Sequence, residues 1–331
     1  LRKFLARLVL IVGALAISLQ PFWVSSNLHK HSSCALSQNA AWISVDWTST
    51  QPNVEAIQKL AEDAEKYQLA YLFPYTTYLK PDRKFNATYD YAAEFVTQFR
   101  QHNQQTSLLA WIGIPVVNDR MVGISGWVDL SQESERTQIV DFVSQLITEA
   151  GFDGIHLNVE TVQDGDPGYL ELLAETKQAI GTSSTLSIAS TYWLPKPLNN
   201  LPGLNGYRWT TAYYKEIASR VDQIVTMTYD SFMPHAALYR IWMKGQVEAI
   251  YESIAESNAE LLIGLSVSEE KTLTHRPAAE YMASGLAGIC AGIESLPSTS
   301  LIKGTAIYAF WEWQENDENE WLAWLHSQEQ P

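Results

Sequence analysis

Residues 151–160 read Gly151-Phe152-Asp153-Gly154-Ile155-His156-Leu157-Asn158-Val159-Glu160, a short and mostly apolar run that ends on a carboxylate. Two amphipathic stretches frame it, Ser131 to Ala150 before and Tyr169 to Ile180 after. An apolar run of roughly four to eight residues between longer helical patterns marks a buried parallel strand joined to its neighbours by helices. With a two-residue period, His156, Asn158 and Glu160 share one face, and Glu160 lies nearest the strand's C-terminal end.

The same alternation extends in both directions. Upstream, strand-like runs fall at Trp42–Trp47, Leu69–Tyr75 and Ser107–Pro115, with helical patterns at Val54–Tyr67 and Tyr89–His102. Downstream, strands are expected at Thr185–Trp193, Gln223–Tyr229, Leu261–Val267 and Gly304–Trp311. The corresponding helices are Thr210–Val221, Leu238–Asn258, Pro277–Ile293 and Glu318–His326. Eight strands alternating with eight helices, apolar on both strand faces, predict an α/β fold of the (β/α)8 TIM-barrel type over residues 40–331. A doubly wound open sheet would carry a Gly-rich phosphate turn after its first strand. Asp46-Trp47-Thr48-Ser49 is no such turn.

Before the barrel, Arg2, Lys3 and Arg7 precede an apolar run from Leu8 to Leu19, and Val24-Ser25-Ser26 offers small residues. Residues 1–26 read as a signal peptide or an N-terminal membrane anchor, and 27–39 as a linker. The expected location is secreted, periplasmic or membrane-anchored facing outside. The 331 residues carry 37 acidic and 22 basic side chains, a net charge of −15 with no basic cluster, which excludes a nucleic-acid partner. Two cysteines exclude a disulfide scaffold or a Cys-rich zinc module. The seven histidines show no metal spacing, and neither a phosphate loop nor a Ser nucleophile elbow appears, so no cofactor or metal is expected. Asn86-Ala87-Thr88 is a glycosylation sequon that carries meaning only in a eukaryotic source. Twelve Trp and sixteen Tyr remain to be placed.

In such a barrel, chemistry belongs to the C-terminal ends of the strands. Glu160 stands there as a candidate general acid whose pKa burial would raise. Asp153, at the other end of its strand, reads as structural. The segment Asp153-Gly154-Ile155-His156-Leu157-Asn158-Val159-Glu160 resembles the fourth-strand signature of glycoside hydrolase family 18, Asp-Gly-x-Asp-x-Asp-x-Glu, with His156 and Asn158 replacing two aspartates. Met227-Thr228-Tyr229-Asp230 matches the family's Met-x-Tyr-Asp on the sixth strand, while Leu261–Leu265 and Gly304–Ala309 resemble its last two strands. The third strand departs, with Trp111-Ile112-Gly113-Ile114 where the family has Ser-x-Gly-Gly.

The resemblance implies substrate-assisted retention. The Glu protonates the glycosidic oxygen, and the substrate's own 2-acetamido group attacks the anomeric carbon. It places Asn158 and Tyr229 on that acetamido group and Asp230 in the supporting network. It also implies an oligo- or polysaccharide substrate on an aromatic platform at Tyr308 or Trp311. Trp47, Phe73, Tyr75 and Trp111, near other strand ends, are further candidates to line the cleft. Trp313 reads as either platform or packing, and Trp321 and Trp324, three residues apart on the last helix, read as core. His156 reads as a support for Asn158 or as a satisfied core histidine. Two other readings stay open. One is a non-catalytic, lectin-like barrel, favoured by Asn158. The other is a two-carboxylate retaining glycosidase pairing Glu160 with Glu269 or Glu270.

Overall fold

The computed structural model describes Cys34 and residues 36–118, 126–199 and 208–327. The expected export segment, residues 1–26, lies outside them. Eight parallel strands close into a barrel in sequence order: β1 (Asn39–Ile43), β2 (Leu69–Tyr78), β3 (Ser107–Pro115), β4 (Gly154–Glu160), β5 (Thr185–Ser190), β6 (Gln223–Thr226), β7 (Glu260–Ser266) and β8 (Ile302–Tyr308). β8 pairs back onto β1 through Ala40–Ala306 and Ala41–Ile307. Principal helices at Val54–Lys66, Ala92–His102, Glu133–Ala150, Pro167–Ile180, Thr211–Ala218, Ala236–Ile254, Met282–Ile293 and Glu315–His326 follow the strands in turn. The expected barrel is present.

Two apolar layers result. The outer one lies between strands and helices, and holds Ile112, Leu157, Ile188, Tyr239, Met243 and Trp321 among many others. The inner one fills the lumen with Ala40, Trp42, Phe73, Leu109, Val225, Leu262 and Ala306, against which Trp111 and Tyr308 pack. Close strand approach requires glycine at Gly154, where a side chain would meet the Thr185 carbonyl oxygen at 2.1 Å.

Three differences from the sequence reading have local causes. The first strand lies earlier than expected, because the Ser44 hydroxyl accepts the Asp46 N–H at 3.2 Å and the chain turns into a short helix at Asp46–Ser49. The linker expected up to residue 39 is shorter, since Asn39 opens β1 and Cys34 and Leu36 are buried in the outer layer. Cys34 is disulfide-bonded to Cys290 on the Met282–Ile293 helix, with Cα atoms 5.2 Å apart. This is a single cross-link in a chain otherwise held by its core. Among the described residues, no helix is long and apolar enough to cross a membrane.

Candidate active site

β3 and β4 set the site's foundation. Trp111 lies opposite His156, Gly113 opposite Asn158 and Pro115 opposite Glu160, so these six residues share the lumen face. Gly113 lets the end of β2 lie close against β3, since a Cβ there would meet the Tyr78 Cβ at 3.1 Å. Trp111 stacks at a tilt on Tyr75, with ring centroids 4.6 Å apart.

His156 sits below the site and is fully buried. The Trp42 indole N–H donates to its Nε2 at 3.0 Å, so the ring proton is on Nδ1 and donates to Ser187 Oγ at 2.8 Å. Ser187 in turn donates to Gln223 Oε1 at 2.7 Å. The ring also stacks on Phe73 at 4.1 Å. Burial in this neutral chain pushes the imidazole pKa down to about 3. His156 is therefore an uncharged core histidine, and its bonds support Trp42 and Ser187 instead of Asn158.

Asn158 and Glu160 behave differently. The Asn158 side chain acts on the Glu160 carboxyl, drawing its pKa down, while its own Oδ1 is buried with no hydrogen-bond partner. Glu160 keeps solvent exposure at the mouth, yet the surrounding walls displace enough water to push its carboxyl above the usual range. Arg208 opposes that shift and the Asp230 charge reinforces it.

Tyr229 follows β6 and lies face to face with Tyr308 at the end of β8, centroids 5.0 Å apart and planes 9° from parallel. Both meet Trp42 edge-on at the floor. Burial holds the Tyr229 hydroxyl protonated at any ordinary pH, with the charges of Glu160 and Asp230 acting in the same direction. Trp311 stands edge-on to Tyr308 at 5.5 Å and is 46% exposed. Asp230 takes a left-handed backbone conformation, φ +54°.

The structure thus gathers Asn158, Glu160, Tyr229, Asp230, Tyr308 and Trp311 around one mouth, with Tyr75 close enough to feel the Glu160 charge. Trp47 is not among them, because the short helix turns it onto Phe95, 5.8 Å away in the outer layer. Trp313 packs on Tyr67 at 5.3 Å, and Trp321 and Trp324 are buried as core. Phe73 is spent on the His156 stack. Asp153 accepts the Leu108 N–H at 2.7 Å and pairs with Arg100, a structural role. Glu269 and Glu270 lie in the loop after β7, where the Glu269 N–H donates to Glu312 and the Glu270 charge acts on Tyr308.

Sequence reasoning missed three contributors. Arg208 stacks over the Tyr192 ring at 3.6 Å, bonds Thr191, and acts electrostatically on both Glu160 and Asp230. His275 and Glu280 lie behind Asp230, and the ligand-type atoms of these three residues fall within 4.8 Å of one another. None of the three sits on a strand, and no sequence periodicity marks them.

The family model for glycosyl hydrolases family 18 matches residues 50–330. Among solved structures, a class V chitinase from Pseudomonas fluorescens Pf-5 has the same fold at 16% identity and a TM-score of 0.59, covering 89% of this chain and 100% of that one. The Bacillus cereus spore cortex-lytic enzyme SleL matches at 15% identity and TM-score 0.56, over 86% of this chain and 74% of that one. A class V chitinase from Nicotiana tobaccum, solved in complex with NAG4, matches at 12% identity and TM-score 0.55, over 89% and 99%. A search of curated proteins finds no match. With most of the barrel inside the family match, this chain belongs to the glycosyl hydrolases of family 18.

Proposed function

We propose that this glycoside hydrolase cleaves β-linked N-acetylhexosamine glycans by substrate-assisted retention, with Glu160 as general acid and base. The observation that carries the reading is the buried, unpartnered Oδ1 of Asn158, one amide away from Glu160. Leaving such an acceptor unpaired costs about 1–3 kcal/mol, and an acetamido N–H is the donor that the mechanism would bring to it. Tyr229, held protonated, supplies an O–H for the acetamido oxygen.

Glu160, its pKa raised, protonates the glycosidic oxygen as the acetamido oxygen attacks the anomeric carbon. The C–O bond breaks, an alcohol leaves, and a cyclic oxazolinium forms. The Glu160 carboxylate then takes a proton from water, which attacks the same carbon as its bond to the oxazolinium oxygen breaks, regenerating the acetamide and restoring the original configuration. Asn158 positions the acetamide but adds no negative charge to the oxazolinium, so slower turnover than an aspartate would give is expected. Tyr308 and Trp311 offer ring faces and edges to the sugar.

An exported setting fits this reading, and the Cys34–Cys290 cross-link supports an oxidising compartment. The test is product analysis on paired oligosaccharides. N-acetylglucosamine oligomers are cut with retention, and their de-N-acetylated counterparts are not. Binding of the acetylated oligomer without any cleavage would favour the lectin-like reading, for which the neutral Asn158 speaks.

A further inference from the structure

Behind Asp230 lies a charged pair that the mechanism above does not use. His275 is 3% exposed. Its Nε2 is 2.9 Å from the Ser268 carbonyl oxygen, which only accepts, so Nε2 carries a proton. Its Nδ1 is 3.0 Å from Glu280 Oε2 and 3.7 Å from Asp230 Oδ1. A bare Nδ1 would aim its lone pair at two carboxylates. The ring is therefore an imidazolium, with both nitrogens protonated. Glu280, 1% exposed, spends its two oxygens on this ring, on the Asp230 N–H at 2.8 Å, and on the Ser231 N–H and hydroxyl at 3.1 and 2.7 Å.

Those bonds fall on a strained turn. Asp230 and Phe232 both have φ near +60°, at 54° and 62°. A non-glycine residue holds that conformation at a steric cost and persists there only when its surroundings fix it. Glu280 fixes the first by taking the Asp230 and Ser231 amides. The Thr274 carbonyl fixes the second by accepting the Phe232 N–H at 3.0 Å. The loop after β7 thus clamps the turn after β6, and His275 is the joint.

We propose that the buried His275–Glu280 ion pair is a positioning unit, in which Glu280 sets the backbone of Asp230 and the His275 charge sets its carboxylate beside Tyr229 and Glu160. The catalytic part rests on the function proposed above, whereas the charge state of His275 does not. The charged or titratable groups acting on the pair are Asp230 from the β6 end, Tyr239 from the Ala236–Ile254 helix, and Arg208, which reaches Asp230 from outside the clamp. Tyr239 donates its proton to the Thr228 carbonyl oxygen at 2.8 Å and is committed there. Burial alone would lower the His275 pKa, but the bonds to Glu280 and Ser268 and the two carboxylate charges bring it above the usual value. Its charge is accordingly lost only as pH rises through that raised pKa, above the range of an ordinary histidine.

Nitrogen-15 NMR of the His275 ring in the intact wild-type protein, from pH 5 to 9, reads the joint directly. Both ring nitrogens are expected to stay protonated through pH 7, with titration above that of an ordinary histidine. A singly protonated His275 at pH 6.5 overturns the proposal. So does loss of its Nδ1 proton on adding equimolar zinc, which would make the three residues a metal site. His275→Gln and Glu280→Gln are then compared on an N-acetylglucosamine oligomer. A misplaced supporting group lowers kcat by about 10- to 100-fold, with KM changed far less, and His275→Gln removes the alkaline part of the pH profile that belongs to this ring. Folded variants with wild-type kcat and pH profile overturn the proposal. If the wild type cuts no glycan, the hydrolase reading fails separately, and the NMR titration still decides the state of the joint.

Discussion

His156 and His275 are both buried, at 0% and 3% exposure, yet the barrel gives them different charge states. His156, on β4, meets an indole N–H and a serine hydroxyl, and burial in that neutral chain keeps it uncharged. His275, above the strands, meets a carbonyl and two carboxylates, and it is held as a cation. Burial by itself does not set ionisation. The partner atoms decide it, and they divide the barrel into a neutral floor that packs and a charged mouth where the proposed chemistry lies.

The sharpest way to break that division is at Glu160. Glu160→Gln should lower kcat by about 10²- to 10⁴-fold while leaving the melting temperature within a few degrees and oligomer binding intact, as followed by calorimetry. A large stability loss would mean that Glu160 belongs to the packing, not to the mouth. A smaller effect is expected at its neighbour. Asn158→Ala should cost roughly 10- to 100-fold in kcat by loosening the acetamide, and Asn158→Asp should exceed the wild type if oxazolinium charge is what the Asn fails to stabilise. Steady-state kinetics on an acetylated oligomer separates the two.

The floor was largely legible in the sequence, because a strand's two-residue period and its apolar content are local properties. Placing His156, Asn158 and Glu160 on one face needed only that period, and the β3–β4 register agrees. Asp230 was legible through Met227–Asp230, whereas its partners were not. Glu280 reaches the Asp230 amide across 50 positions of sequence, and the charge on His275 depends on that meeting. Trp47 shows the opposite error. Its position near a strand end suggested the cleft, but the Ser44–Asp46 turn rotates it outward. A one-residue change of direction in a loop decides the face, and apolar periodicity holds no record of it.

Between mouth and floor in expected effect lies the cross-link, which belongs to neither. The disulfide closes a loop spanning 256 positions and anchors the first strand's approach to the Met282–Ile293 helix. Replacing both Cys34 and Cys290 by Ser should cost about 2–4 kcal/mol and lower the melting temperature, with kcat unchanged. Calorimetry under oxidising conditions checks the first and an oligomer assay the second. A fall in kcat would show that the outer shell, too, positions the mouth.

The finest test uses pH to tell the two histidines apart by sign. His156 has a folded pKa of about 3 against 6.5 when free, so its contribution is complete above pH 6.5 and is lost as pH falls toward 3. His275 has a raised folded pKa, so its contribution is complete below 6.5 and is lost as pH rises through that value. His156→Leu leaves the Trp42 N–H without its acceptor, at about 1–3 kcal/mol near neutrality, and takes from Ser187 its donor while the Ser187 bond to Gln223 remains. The wild type's advantage over it should then shrink on acidification by at most roughly 1.4 kcal/mol per pH unit. The advantage over His275→Gln should instead shrink on the alkaline side. Urea denaturation of both variants from pH 4 to 10 gives the two curves. If both slope the same way, the two histidines share one charge state, and the division of the barrel into a neutral floor and a charged mouth fails.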